Sequence, residues 1–306
     1  MSYEDYKALC DKINYHMDLY YNKNTNEISD YEYDQLMLKL KSAEKEHPEW
    51  VTSDSPSQKI GGSAKREAGV KVTHRVPMLS IEDVFDLQDV RAYVAKVQAL
   101  HPDAVFSVER KIDGLSMTLR YEHSDADGFL HLALAETRGD GHIGEDVTLN
   151  ARVIPDVKEK IELPFDYLEL RGEVYMSHDD FFKYNDEMEE QGKKPAANPR
   201  NLAAGTLRQL DPKVTKKRGL RMFIFNVQDG PADFMASHTS ALAELNDKGV
   251  PVVFHKKCST ADEVVSAIDE IGSTRDGLPF DIDGAVVKID QVAYRADFPE
   301  IGRAHV

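Results

Sequence analysis

The sequence predicts an α+β protein, with a small helical domain at the N-terminus and then a larger domain of antiparallel sheets with flanking helices. Three observations carry this expectation. Residues 3–46 place apolar side chains at helical spacing, and residues beyond about 100 fall into short alternating segments of strand type. The strand-like segments are not joined by regular helical crossovers, as a parallel sheet would require.

Taken in order, residues 3–22 and 29–46 read as two helices around a polar turn at 22–27, with Tyr33, Leu36, Met37 and Leu40 along the second. Ser29 and Glu32 have the spacing of a capping box at its start. Residues 53–69 are rich in Ser, Gly, Pro and Lys and read as a linker, which puts the domain boundary near residue 67. A helix over 86–100 follows, then strands over 105–110, 116–122, 130–136, 168–175 and 222–227, a helix over 238–248 and a strand over 284–289. There is no internal repeat.

Composition narrows the function classes. In 306 residues, 41% are hydrophobic and 30% charged, the profile of a soluble globular chain. No stretch reaches the roughly 18 consecutive apolar residues of a membrane span, and the first sixteen residues carry charges where a signal peptide needs an apolar run. The expectation is a cytoplasmic monomer with no membrane partner. Cys10 and Cys258 are too few for a disulfide framework or a cysteine zinc site and read as packing residues. His16, His74 and His142 have no metal-ligand spacing. A net charge of −16 excludes a protein whose whole surface grips DNA phosphates, so any nucleic-acid contact should be local.

Chemistry concentrates in Glu109-Arg-Lys-Ile-Asp-Gly114. Side chains two apart on a strand share a face, so Glu109, Lys111 and Asp113 should project together, with Gly114 allowing a sharp exit. A lysine amine becomes a nucleophile once it sheds its proton, which a nearby cation or partial desolvation favours. Asp283-Gly-Ala-Val-Val-Lys288 offers a second lysine on a strand, suited to meeting a phosphate. Gly139-Asp-Gly-His-Ile-Gly144 fits a dinucleotide fingerprint, but Glu145 and Asp146 would put negative charge where a pyrophosphate should dock. A hairpin loop beside the active site is the better reading.

These segments occur in one order with Thr137-Arg-Gly-Asp-Gly141, Leu170-Arg-Gly-Glu-Val174 and Asn198-Pro-Arg-Asn201. Together with His74-Arg-Val-Pro-Met-Leu-Ser80 and the run from Ala203 to Pro212, the chain resembles the N-terminal, nucleotidyltransferase part of bacterial NAD-dependent DNA ligases. The resemblance implies that residues 1–67 are a helical NMN-binding domain and 68–306 an adenylation domain. It implies that Lys111 accepts AMP from NAD with release of NMN, the first step of nick sealing in replication and repair. It makes Asp113, Glu173 and Lys288 its catalytic companions, Lys288 at the α-phosphate and Glu173 on the ribose or a Mg2+ ion. Arg138 would contact the nucleotide, Phe225 would stack on adenine, and Ser80, Ile81 and Glu109 would line the adenine pocket. Arg200 and Arg208 would meet the phosphates of NAD or of the nick.

In the helical domain, Asp30, Tyr33 and Asp34 share a helix face whose like charges would welcome the nicotinamide cation, and Tyr20 and Tyr21 would add a stacking surface. The resemblance assigns these five residues to NMN. The family continues past this point into a further lysine motif, an OB-fold, a four-cysteine zinc site and DNA-encircling domains. The chain ends at Val306 without them, so nicked DNA is expected as a partner only in a full-length context. The alternative reading is a non-catalytic NAD- or nucleotide-binding module; Lys111, Asp113, Glu173 and Lys288 occurring together weigh against it.

Overall fold

The computed structural model of the chain describes residues 1–22, 27–28, 30–52, 55–57, 70–78, 82–84, 86–298 and 302–304. It separates into two compact units, Met1–Glu67 and Ala68–Val306.

The first unit is built on two helices, α1 (Tyr3–Asn22) and α2 (Asp30–Glu46). Tyr6 and Ile13 on α1 meet Met37, Leu40 and Ala43 on α2, so each helix commits one apolar stripe to a shared core. Trp50 closes its end, and the Tyr6 hydroxyl is 2.8 Å from Ser55 Oγ. Ser29, half of the expected capping box, lies outside the described residues.

The second unit runs β1 (Lys71–Thr73), β2 (Glu82–Val84), α3 (Leu87–Leu100), β3 (Phe106–Ile112), β4 (Leu115–His123), β5 (Leu130–Thr137), β6 (Ile143–Glu145), α4 (Thr148–Ala151), β7 (Lys160–Ile161) and β8 (Tyr167–Tyr175). It continues with α5 (His178–Glu190), α6 (Pro199–Leu207), α7 (Pro212–Lys217), β9 (Arg221–Asp229), α8 (Ala232–Met235), α9 (His238–Asp247), β10 (His255–Cys258), α10 (Ala261–Thr274), β11 (Ile282–Ile289) and β12 (Gly302–Ala304). The strands form two five-stranded sheets in the orders β10-β3-β11-β12-β2 and β7-β5-β4-β8-β9, with a small β1-β6 pair beside them. Pairing is antiparallel apart from β12 with β2.

Each large sheet gives one face to a core. In the first, Phe106, Val108, Val287 and Ile289 pack with Val94 and Val97 of α3 and Val264, Ile268 and Ile271 of α10. In the second, Met117, Leu119 and Tyr121 of β4 join Leu168, Leu170 and Val174 of β8 against Leu202 and Leu207 of α6 and Leu242 and Leu245 of α9. Strand alternation turns Ser116, Thr118, Arg171 and Glu173 to the opposite face. A fully buried aliphatic side chain is worth about 2 kcal/mol, so the apolar alternation sets which face is free for polar work.

β3 ends the first sheet's contribution at Ile112, and β4 opens the second at Leu115, so Asp113 and Gly114 are the crossing. Gly114 lies in the bend where the chain leaves the first sheet, and its lack of a side chain also serves the packing there. A Cβ on it would lie 2.1 Å from the Val174 carbonyl oxygen, so glycine lets the crossing press against β8. The segment 139–144 is a tight loop, with φ of 54° at Gly139 and 95° at Gly141, and it leads into β6, not a helix.

Candidate nucleotide site

The two sheets and α6 enclose a cleft of about 400 Å³. Seven basic side chains and three carboxylates line it, so a chain of net charge −16 gathers positive charge at this one place. The sequence-expected residues Glu109, Lys111, Asp113, Arg138, Glu173, Arg200, Arg208, Phe225 and Lys288 all line it. Ser80 and Ile81 lie outside the described residues. Tyr20 and Tyr21 fall in α1 and Asp30 and Asp34 in α2, with side chains outside the description, while Tyr33 packs against the first unit's core.

One wall comes from β3 and β11. Lys288 sits opposite Ser107 and Glu109 opposite Val286, which makes Lys288 and Glu109 diagonal neighbours. Lys288 Nζ donates to Glu109 Oε2 at 2.7 Å and to the Phe225 carbonyl at 2.6 Å. Glu109 Oε1 accepts from Ser107 Oγ at 2.8 Å and from His238 Nε2 at 2.6 Å. Burial alone would push the Glu109 carboxyl up, but the Lys288 ammonium and His238 outweigh it and hold the group well below the usual carboxylate range. Burial lowers His238 to about 4, so at neutral pH the ring is uncharged and its single useful proton is on Nε2, facing the carboxylate. Burial also lowers Lys288.

The opposite wall comes from β4, β8 and β9. Ser116 sits across from Glu173 and donates to its Oε2 at 2.9 Å. No cation reaches Glu173 within salt-bridge distance among the described residues, and burial raises its carboxyl to about 7. Two residues back on the same face, burial lowers the Arg171 guanidinium to about 10. The Phe225 ring lies near both cations, its centroid 5.1 Å from Lys288 Nζ and 5.5 Å from the Arg171 guanidinium carbon.

Lys111 stands where the walls meet, and its ammonium contacts the Asp283 carboxylate. Asp283 precedes Gly284, whose φ of 115° accompanies an irregularity in the β3–β11 register. Asp113 Oδ1 accepts from Arg200 at 3.1 Å. Arg200 and Arg208 come from α6 and its C-cap, with Ala204 between them, so the four-residue spacing puts all three on one helical face. Asn198 caps that helix by accepting from the Asn201 amide at 2.8 Å, and Pro199 opens it. Arg208 Nε is 3.6 Å from Glu145.

Sequence reasoning missed Ser116, Arg171 and His238. Arg171 stands inside a quoted motif and carries a signal only through its spacing from Glu173. His238 meets Glu109 from 129 residues away and carries no sequence signal. Among the described residues no group of three His, Cys, Asp or Glu side chains is arranged to hold a metal, and no helix is long and apolar enough to cross a membrane.

Residues 67–304 match the family model described as the NAD-dependent DNA ligase adenylation domain, and residues 2–61 match the DNA ligase-like, N-terminal NAD+-binding domain. A DNA ligase of Clostridium kluyveri is 44% identical over 281 residues, covering 92% of this chain and 41% of that protein. One of Thermoanaerobacter sp. is 45% identical over 293 residues, covering 95% of this chain and 43% of that protein. The chain thus spans about two fifths of the length of these relatives. It belongs to the NAD-dependent DNA ligase family, of which it carries the N-terminal NAD+-binding and adenylation domains.

Proposed function

We propose that the cleft binds the AMP part of NAD and that Lys111 takes the adenylyl group, releasing NMN as the first step in sealing a DNA nick. The observation that carries this reading is the meeting of Lys111 with six other basic side chains in one cleft of an acidic chain. In the step, the Lys111 Nζ–phosphorus bond forms while the bond from phosphorus to the bridging oxygen breaks, and NMN leaves with that oxygen. Asp283, in contact with Nζ, takes the proton the ammonium sheds before attack, and the phosphoramidate nitrogen loses its second proton to water. Catalysis then rests on positioning and on charge neutralisation.

Lys288 has three donors and spends two on Glu109 and Phe225, which leaves one for the α-phosphate. Phe225 would stack on adenine, with Ser80, Ile81 and Glu109 around the base; Arg138, Arg200 and Arg208 would serve the phosphates of NAD or of a nick. Asp113 holds Arg200 in place. Glu173, with no cation within salt-bridge distance among the described residues, would hold a magnesium ion, which would draw charge from the phosphate. The helical unit would take the NMN end through Tyr20, Tyr21, Asp30, Tyr33 and Asp34, as the match of residues 2–61 supports. Nicked DNA is the partner in a longer chain, and the chain is cytoplasmic and monomeric in this reading.

The test is intact-mass analysis after incubation with NAD and magnesium. Wild type should gain one adenylyl group and Lys111→Ala none. Modification that survives Lys111→Ala would show the nucleophile to be another residue, and a wild-type chain that binds NAD yet stays unmodified would favour the binding-module reading.

A further inference from the structure

Arg171 is a cleft cation that the protein leaves largely unsatisfied. Its Nη2 reaches Ser116 Oγ at 3.5 Å, and its Nε is buried with no hydrogen-bond partner among the described residues. No carboxylate lies within salt-bridge distance of it among those residues, although Glu173 is two positions along the strand. The contrast with Arg120, on the neighbouring strand β4, is direct. Arg120 lies 2.7 Å from Glu136 and 3.4 Å from Glu169, two carboxylates fully shielded from solvent. Arg120 thus has two carboxylates within salt-bridge distance, and Arg171 has none among the described residues.

An unmade hydrogen bond from a buried charged group costs more than a made one returns, so native structures rarely keep one without a use. What surrounds Arg171 says what would use it. Burial lowers it, the Glu173 charge offsets part of that, and Arg138 and Lys288 add repulsion, so a negatively charged partner fits the place. The Phe225 ring lies within cation–π range of its guanidinium and limits the directions it can turn. A guanidinium edge with Nε and Nη2 free or weakly held is a flat two-donor fork, which matches two oxygens of a phosphate.

We propose that Arg171 is a nucleotide-binding residue whose Nε–Nη2 edge takes up phosphoryl oxygens of the AMP moiety, so that the ligand and not the protein completes its pairing. The inference rests on the reading that this cleft binds nucleotide. It assigns Arg171 a role apart from Lys288, whose charge Glu109 already balances.

The test compares Arg171→Met and Arg171→Lys with wild type in two measurements: affinity for AMP and for adenosine by calorimetry, and stability of the ligand-free protein in urea. Arg171→Met should weaken AMP roughly ten- to hundredfold, the size of a charge-assisted contact, and leave adenosine within about twofold. It should leave the free protein as stable as wild type or more so, because an unpaired buried charge gives way to an apolar side chain of similar length. Arg171→Lys should also lose AMP affinity, since it keeps the charge and loses the fork. A clear loss of free-protein stability with AMP affinity unchanged would make Arg171 a structural cation and overturn the proposal. Equal losses for AMP and adenosine would overturn the phosphate assignment. Failure of wild type itself to bind AMP would remove the nucleotide reading and the inference with it.

Discussion

The two walls of the cleft each bury a carboxylate beside a cation and treat the pair in opposite ways. On the β3–β11 wall, Glu109 has both oxygens engaged, by Lys288 on one and by Ser107 and His238 on the other, and its carboxyl is held well below the usual range. On the β4–β8 wall, Glu173 has a single serine hydroxyl, Arg171 has an unpartnered Nε, and burial raises the Glu173 carboxyl to about 7. On the first wall the protein pairs the carboxylate with a cation, while on the second neither Glu173 nor Arg171 has an oppositely charged group within salt-bridge distance among the described residues.

The largest effect should come from breaking the finished wall. Lys288→Met leaves the Glu109 carboxylate buried without its cation and should cost about 3–5 kcal/mol of stability in urea unfolding. Adding Glu109→Gln should recover part of that loss. A cost below about 1 kcal/mol would mean that the pair is not the closed unit described here. A smaller effect is expected at the junction of the walls. Gly114→Ala drives a Cβ to within 2.1 Å of the Val174 oxygen, and the resulting shift of the crossing should cost about 2 kcal/mol and slow adenylation. Unchanged adenylation with that loss of stability would separate the crossing from the chemistry.

The smallest effect is one of pH, and its sign differs between the walls. The folded-state pKa of Glu173 is raised, so its contribution to stability is fully present below about 4.5 and is lost as pH rises through about 7. That of Glu109 is depressed, so its contribution is present above the ordinary carboxylate value and is lost as pH falls through its folded one. Glu173→Gln, which mimics the protonated carboxyl, should therefore stabilise the free protein by about 1–2 kcal/mol near pH 8 and by almost nothing near pH 5. An equal gain at both values would mean that something other than the charge is responsible. A separate check concerns the helical unit: Asp34→Ala should weaken NMN binding severalfold with AMP binding unchanged, and equal losses would defeat that division of labour.

How much of this could be read from the sequence depended on whether the signal was local. The strands at 115–123, 130–137 and 167–175 follow from alternation, and their ends move by a residue or so because ladder hydrogen bonds outlast the apolar pattern. The helices α5, α6 and α7 did not follow: α6 and α7 are only nine and six residues long, and α5 has no fully buried residue although Phe181 and Tyr184 pack against the core. α10 was legible and went unread. Its Val264, Ala267, Ile268 and Ile271 keep helical spacing, and Thr260 with Glu263 forms the capping box that opens it. In the site, Glu109 and Lys111 share a face by strand period, and Asp113 lines the same cleft from the crossing just beyond β3. The division between the walls depends on His238 meeting Glu109 from 129 residues away and on Arg171 having no carboxylate within salt-bridge distance among the described residues, which no spacing encodes.

The most direct test of the two-wall account is a pH titration of the glutamate side-chain carboxyl carbons by NMR in the ligand-free protein, repeated with AMP. The account predicts that Glu173 titrates near 7, that AMP shifts it, and that Glu109 shows no transition between about pH 4 and 9. A Glu173 midpoint near the ordinary carboxylate value, or a Glu109 transition inside that window, would contradict it.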